Sequence, residues 1–293
     1  MEKATTKELL ESKITKLIQS VEDAGSWKKP FQSAMASGLP KNHYSNKRYK
    51  GANIFFLWME AIEKGYSTNN WLTMKQCNSL KAKVNKGERS TVIFFFKPIE
   101  VEELDESTGE LETVVIPMLK TYRVFNIDQT TLKPDDIATD TIVSTIDECE
   151  EFFSSLHICE LKDGGAPYYH VGLDYISIPS IDKFIDAPSY YVTLAHEYIH
   201  STGHSSRLGR DMENKKDKYA YEELIAELGS CFISAHLGID ADDIQDNAAA
   251  YLKSWLKSLK YDHRYLWKAM GEASRAYEYI LESTFSTKES VAA

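Results

Sequence analysis

The pattern His196-Glu197-Tyr198-Ile199-His200 constrains this chain more than any other feature of its sequence. Apolar residues around it and Gly203 after it predict a buried helix that ends at the glycine. His196 and His200 then project from one face, one helical turn apart, so both imidazoles can bind the same metal ion. Glu197 lies beside them, where its carboxylate can take a proton from a metal-bound water. The pattern predicts a metal site with Glu197 as catalytic base; the expected ion is Zn²⁺, with another divalent metal as the alternative.

Two histidines leave the coordination incomplete, and the downstream sequence offers more than one third ligand. The extended motif HExxHxxGxxH has its glycine at Gly203, but its last position is Ser206, which cannot serve as the ligand. His204 follows the expected end of the helix. We expect it to be a surface histidine, because a ligand role would require the helix to continue through Gly203.

A carboxylate from the next helix is the other source of a third ligand. The segment YAYEELIAELGSCF at 219–232 places Glu223 and Glu227 on one face among small residues, which allow a close approach to the histidine helix. We expect Glu223 to bind the metal and Glu227 to accept a hydrogen bond from the other ring nitrogen of a bound histidine. Glu222 is expected to face solvent. The alternative is that all three form a solvated acidic face.

Charge is distributed unevenly along the chain, although the net charge is −10. Residues 1–130 have a balance of +3, and residues 131–293 have a balance of −13. Residues 26–98 alone contain 13 basic and 3 acidic side chains. A basic block followed by an acidic one indicates a module that binds a polyanion, joined to a part with another task.

Aromatic residues are interleaved with the cations of this basic block, as in proteins that bind single-stranded nucleic acid. Cations would contact phosphates, and aromatic rings would stack on bases. For Tyr49 and Trp71, DNA contact and burial in the core are equally open, whereas Phe94 and Phe96 are expected in the core. The candidate contacts are Trp27, Lys28, Lys29, Lys47, Arg48, Tyr49, Lys50, Trp71, Lys75, Lys86 and Arg89.

Hydrophobic periodicity predicts an α+β fold with two domains, residues 1–130 and 142–293, joined by a polar linker at 131–141. The first domain is expected to mix helices and strands, and the second to be mainly helical. Strands at 91–98 and 113–126 should form a hairpin with an acidic tip. Helices are expected at 7–21, 52–64, 145–157, 188–202, 218–237, 242–259 and 262–283, with one or two short strands within 168–179.

Composition excludes several other classes of protein. A chain that is 43% hydrophobic and 27% charged is globular and not disordered. No apolar run approaches the roughly 18–20 residues of a membrane span, and the charged N-terminus lacks the apolar core of a signal peptide. The four cysteines are scattered without a CxxC pair, which is typical of free thiols in a reducing compartment. We therefore expect a cytoplasmic protein without a membrane partner.

Two ordered sets of motifs resemble the ArdC-type antirestriction proteins. They are HEYIHSTGHSSRLGR and YAYEELIAELG in the second half, and WKKPF, GLPKNHYSNKRYKGANIFFL, WLTMKQ, VNKGERSTVIFFFK and YRVFN in the first. The resemblance covers nearly the whole chain. It implies a single-stranded-DNA-binding domain followed by a zincin-like metallopeptidase domain, in a protein of plasmids, phages and other mobile elements that is linked to protection of incoming DNA from restriction. The acidic segment 100–112 is unusually long for a nucleic-acid domain, so we expect no DNA contacts there.

Three functions fit these observations. In the first, a metallopeptidase recruited to DNA hydrolyses DNA-associated proteins, with Glu197 as general base and Tyr219, His204 or Arg207 stabilising the oxyanion. In the second, the chain coats single-stranded DNA and the metal is structural. In the third, it is an accessory factor of replication or of a primase. Glu197 favours the first, because a structural site needs no base between its ligands.

Overall fold

The computed structural model describes residues 4–25, 29–104, 111–132, 146–212, 216–239 and 263–291. Helices and two small sheets alternate along the chain in a mixed fold with the expected two-domain architecture. The expected linker lies outside the described residues except for positions 131 and 132, and the helix expected at 242–259 lies wholly outside them.

The N-terminal domain is built from four helices around a four-stranded sheet of order β1-β2-β4-β3. The first helix begins after a capping box formed by Thr5 and Glu8 and ends at Gly25, which adopts the left-handed conformation. Gly65 ends α3 in the same way. The bounds are α1 Thr6–Ala24, α2 Gln32–Met35, β1 Lys41–Asn42, α3 Ala52–Lys64, β2 Asn70–Leu72, α4 Met74–Ser79, β3 Thr91–Leu104 and β4 Leu111–Asn126.

Strands β3 and β4 form the expected hairpin. Their antiparallel register runs from Thr91 opposite Val124 to Leu104 opposite Leu111, and the acidic tip lies outside the described residues. On the free edge of β3, the buried Asn53 side chain donates to the Phe94 carbonyl (2.7 Å) and accepts from the Phe94 amide (2.9 Å). Because an unpaired buried peptide group is costly, this side chain closes the sheet edge at that position.

The C-terminal domain combines a three-stranded sheet of order β5-β7-β6 with long helices. Sequence periodicity did not predict β5, because its four residues are all exposed and show no apolar alternation. The bounds are α5 Ile146–Ser154, β5 Glu160–Asp163, β6 Tyr168–His170, β7 Tyr175–Ile178, α6 Ala187–Thr202, α7 Lys216–Leu237 and α8 His263–Val291.

One hydrophobic core extends through both domains. The Phe232 ring on α7 lies 5.3 Å from Phe55 and 6.4 Å from Trp58, both on α3. Polar contacts follow the same boundary, since Arg48 donates to the Tyr277 hydroxyl (2.9 Å) on α8. The two domains therefore stabilise one another through α7 and α8.

Within the described ranges, every helix is too short or too polar to cross a bilayer.

We expect Phe232→Ala to lower the free energy of unfolding by about 3–5 kcal/mol, the usual loss for a buried phenylalanine. Because this ring contacts α3 across the boundary, both domains should unfold at a lower urea concentration, measured by circular dichroism and tryptophan fluorescence in the presence of a chelator. The control Leu173→Ala, at a side chain 69% exposed, should change stability by less than about 0.5 kcal/mol. An unchanged fluorescence transition in Phe232→Ala would contradict the shared core.

Candidate metal centre

Helix α6 presents two histidines at one point in space. Its N-terminus is capped by Asp186, which accepts from the Ser189 amide (2.8 Å), and most of its residues are buried. His196 and His200 lie one turn apart with their Nε2 atoms separated by 3.1 Å. Both side chains are largely buried. Two nitrogen donors therefore face a common point.

Helix α7 brings a carboxylate to the same point. The Glu223 oxygens lie 3.4 Å from His196 Nε2 and 3.5 Å from His200 Nε2. The three residues offer donor atoms that all lie within 4.8 Å of one another. Four ligands at 2.0–2.1 Å from a tetrahedral zinc ion are about 3.4 Å apart, so the spacing fits a divalent ion held by two imidazoles and a carboxylate.

The close approach of the two helices depends on a glycine. A Cβ at Gly229 would lie 2.7–3.0 Å from three side-chain atoms of Ile199, the residue before His200. Ala226 and Ser230, also small, are fully buried on α7 nearby in sequence. Helices that meet through small side chains approach more closely, which lets the short Glu223 side chain reach the α6 imidazoles.

Further carboxylates lie behind the histidines. His196 Nδ1 is 3.7 Å from a Glu227 oxygen, and His200 Nδ1 is 3.2 Å from a Glu222 oxygen. Carboxylates in these positions favour protonation at Nδ1, which leaves both Nε2 lone pairs directed at one another and at Glu223. Such a cluster of electron pairs is repulsive without a cation, so the donor set fits a bound metal.

The expectation that Glu222 faces solvent is wrong. Its side chain is 4% exposed, and it accepts two hydrogen bonds from Arg210 (2.9 and 2.6 Å) in addition to the contact with His200. Gly203 makes room for this arginine, because a Cβ there would lie 2.9 Å from its guanidinium. The physical reason is that a buried carboxylate requires a partner, and the sequence signal that we missed is Arg210, twelve residues upstream.

The neighbouring carboxylates change the pKa values of the two histidines. Burial lowers the pKa of His200, but hydrogen bonds with Glu222 and Glu223 outweigh it and raise the pKa to about 10. The same competition raises the pKa of His196. Burial raises the pKa of Glu223, but the two histidines hold it well below its usual range. The centre thus binds positive charge strongly, as protons or as a metal ion.

Glu197 lies next to this cluster, where its negative charge helps to raise the pKa of His196. Its side chain is buried, at 7% exposure, and it makes no hydrogen bond or ion pair with any part of the chain that the structure describes. A carboxylate beside a metal-type donor set that makes no such bond is available to accept a proton.

The three candidate oxyanion stabilisers differ in their surroundings. Arg207 is held by Asp174, whose pKa its guanidinium lowers to about 2, and it also donates to the Ser201 carbonyl (2.7 Å). His204 lies beyond the helix end, contacts Ser206 (2.7 Å) and is not in the donor cluster. Tyr219, one turn before Glu223 on α7, is 41% exposed. Tyr219 is thus the most exposed of the three.

The candidate DNA contacts divide into three groups. Lys47, Arg48, Lys50, Lys75, Lys86 and Arg89 are exposed, as contact with phosphates requires. Trp27, Lys28 and the side chain of Lys29 lie outside the described residues.

The third group corrects the prediction for two aromatic residues. Trp71 is fully buried and Tyr49 is 8% exposed, so neither has a ring face on which a base could stack. Their polar neighbours in the sequence suggested exposure, but β2, which carries Trp71, is buried at every residue. Two of the cations also contact α8: Arg48 donates to Tyr277, and Lys50 Nζ lies 2.8 Å from a Glu278 oxygen.

Two family models match the chain in succession. The model for the N-terminal domain of the anti-restriction factor ArdC matches residues 5–125. The model for a zincin-like metallopeptidase matches residues 147–272, which include the donor cluster and Glu197. The match identifies the second domain as zincin-like, a class that binds a metal ion.

Known proteins resemble the chain along most of its length. The crystal structure of the antirestriction protein ArdC from plasmid R388, metal-free, is 38% identical with a TM-score of 0.78, covering 95% of this chain and 98% of that one. Its Mn(II)-bound structure is 36% identical with a TM-score of 0.76, covering 94% and 97%.

Two curated relatives extend the comparison. The protein y4eC of Sinorhizobium fredii is 31% identical, covering 94% of this chain and 92% of the relative. A DNA primase TraC of Escherichia coli is 31% identical over 87% of this chain but only 25% of the primase. The order of the two domains and the similarity over nearly the full length show that the chain belongs to the ArdC antirestriction family.

Proposed function

We propose that this chain is an antirestriction-type protein of a mobile element that binds single-stranded DNA and hydrolyses peptide bonds in DNA-associated proteins. The reaction would take place at a divalent metal in the second domain, in the cytoplasm, where incoming DNA meets the host's restriction enzymes. The observation that carries the proposal is Glu197, 7% exposed and without a hydrogen bond to any described residue, beside the donors of His196, His200 and Glu223.

In this proposal each residue of the centre has a separate task. The Nε2 atoms of His196 and His200 and a Glu223 oxygen hold the ion. Glu222 accepts a hydrogen bond from His200 Nδ1 (3.2 Å) and so fixes the orientation of that imidazole ring. Glu227 lies 3.7 Å from His196 Nδ1 and favours the matching orientation of His196 through its charge. Arg210 neutralises Glu222, which lets that carboxylate stay buried.

A divalent ion at such a site supplies Lewis-acid activation of water and of a peptide carbonyl. The chain's own contribution to proton transfer is Glu197, which can take a proton from the attacking water and later give it to the leaving amine. Tyr219 lies one helical turn from Glu223, exposed at the start of α7, and can donate a hydrogen bond to the developing oxyanion. Zn²⁺ is the proposed ion. The Mn(II)-bound structure of the R388 relative supports a divalent metal but does not favour zinc.

The proposal for DNA rests on the first domain. Its family model is that of the ArdC N-terminal domain, and the exposed cations Lys47, Lys75, Lys86 and Arg89 lie within the basic block. The carboxylates of the metal centre would repel phosphates. Binding and hydrolysis are therefore assigned to different surfaces.

We expect His196→Ala and Glu223→Ala to lose the metal, whereas Glu197→Gln keeps it but lowers peptidase activity by about 10²–10⁴-fold, the usual contribution of a general base. Metal content is measured on the purified protein by elemental analysis, and peptidase activity on an unfolded protein substrate with and without single-stranded DNA. Glu160→Gln, an exposed carboxylate of the same domain, is the matched control.

The outcome for Glu197→Gln separates the proposed activity from the alternative. Loss of metal in this variant would show that Glu197 is a ligand and not a base. Antirestriction is scored by the transfer of a plasmid into a restricting host. Wild-type protection by Glu197→Gln would favour a protein that protects DNA by coating it, with a structural metal.

We expect the full chain to bind single-stranded DNA with an affinity that decreases as salt increases, because each neutralised phosphate contributes about −0.7 to the slope of log K against log salt. Lys86→Gln together with Arg89→Gln should weaken binding and reduce this slope by about 1.4. Lys162→Gln, an exposed lysine of the second domain, serves as control. Fluorescence anisotropy of a labelled oligonucleotide measures both quantities, and affinity that does not depend on salt would contradict the electrostatic assignment.

A further inference from the structure

The half of the β3–β4 hairpin nearest the domain has two faces with different surroundings. One face packs inward: Phe94 is 1% exposed and lies 5.9 Å from Phe56 and 6.1 Å from Trp267. Because side chains alternate along a strand, Phe95 points to the opposite side. The register places Phe95 opposite Lys120, and Lys97 opposite Met118. We call the set Phe95, Lys97, Met118, Lys120 and Tyr122 the hairpin face.

Two aromatic rings dominate the hairpin face. Phe95 is 42% exposed and Tyr122 is 47% exposed, and their ring centroids lie 5.3 Å apart at an interplanar angle of 88°. In an edge-to-face pair, one ring keeps both of its faces clear of the other, and the second ring keeps one. Large aromatic side chains that remain exposed side by side on a sheet are typical of platforms on which nucleobases stack.

Positive charge accompanies the rings. Lys97 and Lys120 belong to the same face, and neither forms an ion pair with a residue that the structure describes. Cations beside exposed rings are complementary to a polyanion with aromatic bases.

The charge reverses farther along the hairpin. Residues 99–116 contain seven acidic and no basic residues, and the change follows the rung at which Pro98 pairs with Pro117. Phosphates would be repelled from the distal half. A single strand that uses this hairpin is therefore confined to its proximal half, where the rings and lysines lie.

We propose that the hairpin face is a single-stranded-DNA contact, in which bases stack on Phe95 and Tyr122 and phosphates contact Lys97 and Lys120. This inference rests on the proposed function. It adds a DNA-binding surface that lies outside the candidate contacts predicted between Trp27 and Arg89. Phe95 lies between Phe94 and Phe96, the two phenylalanines of this strand that were expected in the core, and strand alternation turns it outward.

The test uses the full chain and anisotropy of a labelled oligodeoxythymidine. Phe95→Ala together with Tyr122→Ala should weaken binding by about tenfold or more, because each base that stacks on an aromatic ring adds to the affinity, whichever base it is. The slope of log K against log salt should stay unchanged. Lys97→Gln with Lys120→Gln should instead reduce that slope by about 1.4, and Tyr122→Phe should bind as wild type.

Tyr168→Ala is the matched control, because this tyrosine of the second domain is 44% exposed and should not affect affinity. Thermal midpoints verify that the variants fold. If the wild type binds and the aromatic double variant binds equally well, the hairpin proposal is overturned while the proposed function stands. If the wild type itself does not bind, both are overturned. If the aromatic double variant binds DNA as the wild type does but has a different molecular mass in sedimentation, the face is an interface between copies of the chain, and the proposal is again overturned.

Discussion

The contact between Ile199 on α6 and Gly229 on α7 sets the distance on which the metal centre depends. With no Cβ at Gly229, the branched Ile199 side chain fits against the α7 backbone, and the two helix axes approach closely enough for Glu223 to lie 3.4–3.5 Å from both imidazoles. A wider separation would leave two histidines without a carboxylate.

Helix α7 then connects this centre to the other domain. Its first turns carry Glu222, Glu223 and Glu227, and its later turns carry Phe232, which packs on α3. At its end, His236 Nδ1 lies 2.8 Å from the Tyr277 hydroxyl, which also accepts from Arg48. Burial and then the nearby Arg48 lower the pKa of His236 to about 4, so the neutral ring accepts a hydrogen bond from the Tyr277 hydroxyl. One rigid helix thus joins the acidic centre and the basic domain through a shared core.

Local rules predicted much of this structure from the sequence. Glycine at a helix end, strand alternation around a hairpin, and histidines at i and i+4 are each decided within a few residues. Each was confirmed, at Gly203, at β3–β4, and at His196 and His200. What failed depended on distant partners. The burial of Glu222 requires Arg210, and the strand that carries Trp71 is interior to its sheet because β1 and β4, from other parts of the chain, pair with its two edges.

The most direct test of the account is the affinity of the full chain for Zn²⁺ in Gly229→Ala, measured by competition with a chromophoric chelator. This variant retains every ligand, but its added methyl must displace Ile199. Gly271→Ala makes the same change on α8, where nothing lies within 4 Å. The account predicts that Gly229→Ala folds but binds Zn²⁺ about tenfold or more weakly, as disturbance of the groups that orient ligands does, while Gly271→Ala binds as wild type. Wild-type affinity in Gly229→Ala would contradict it.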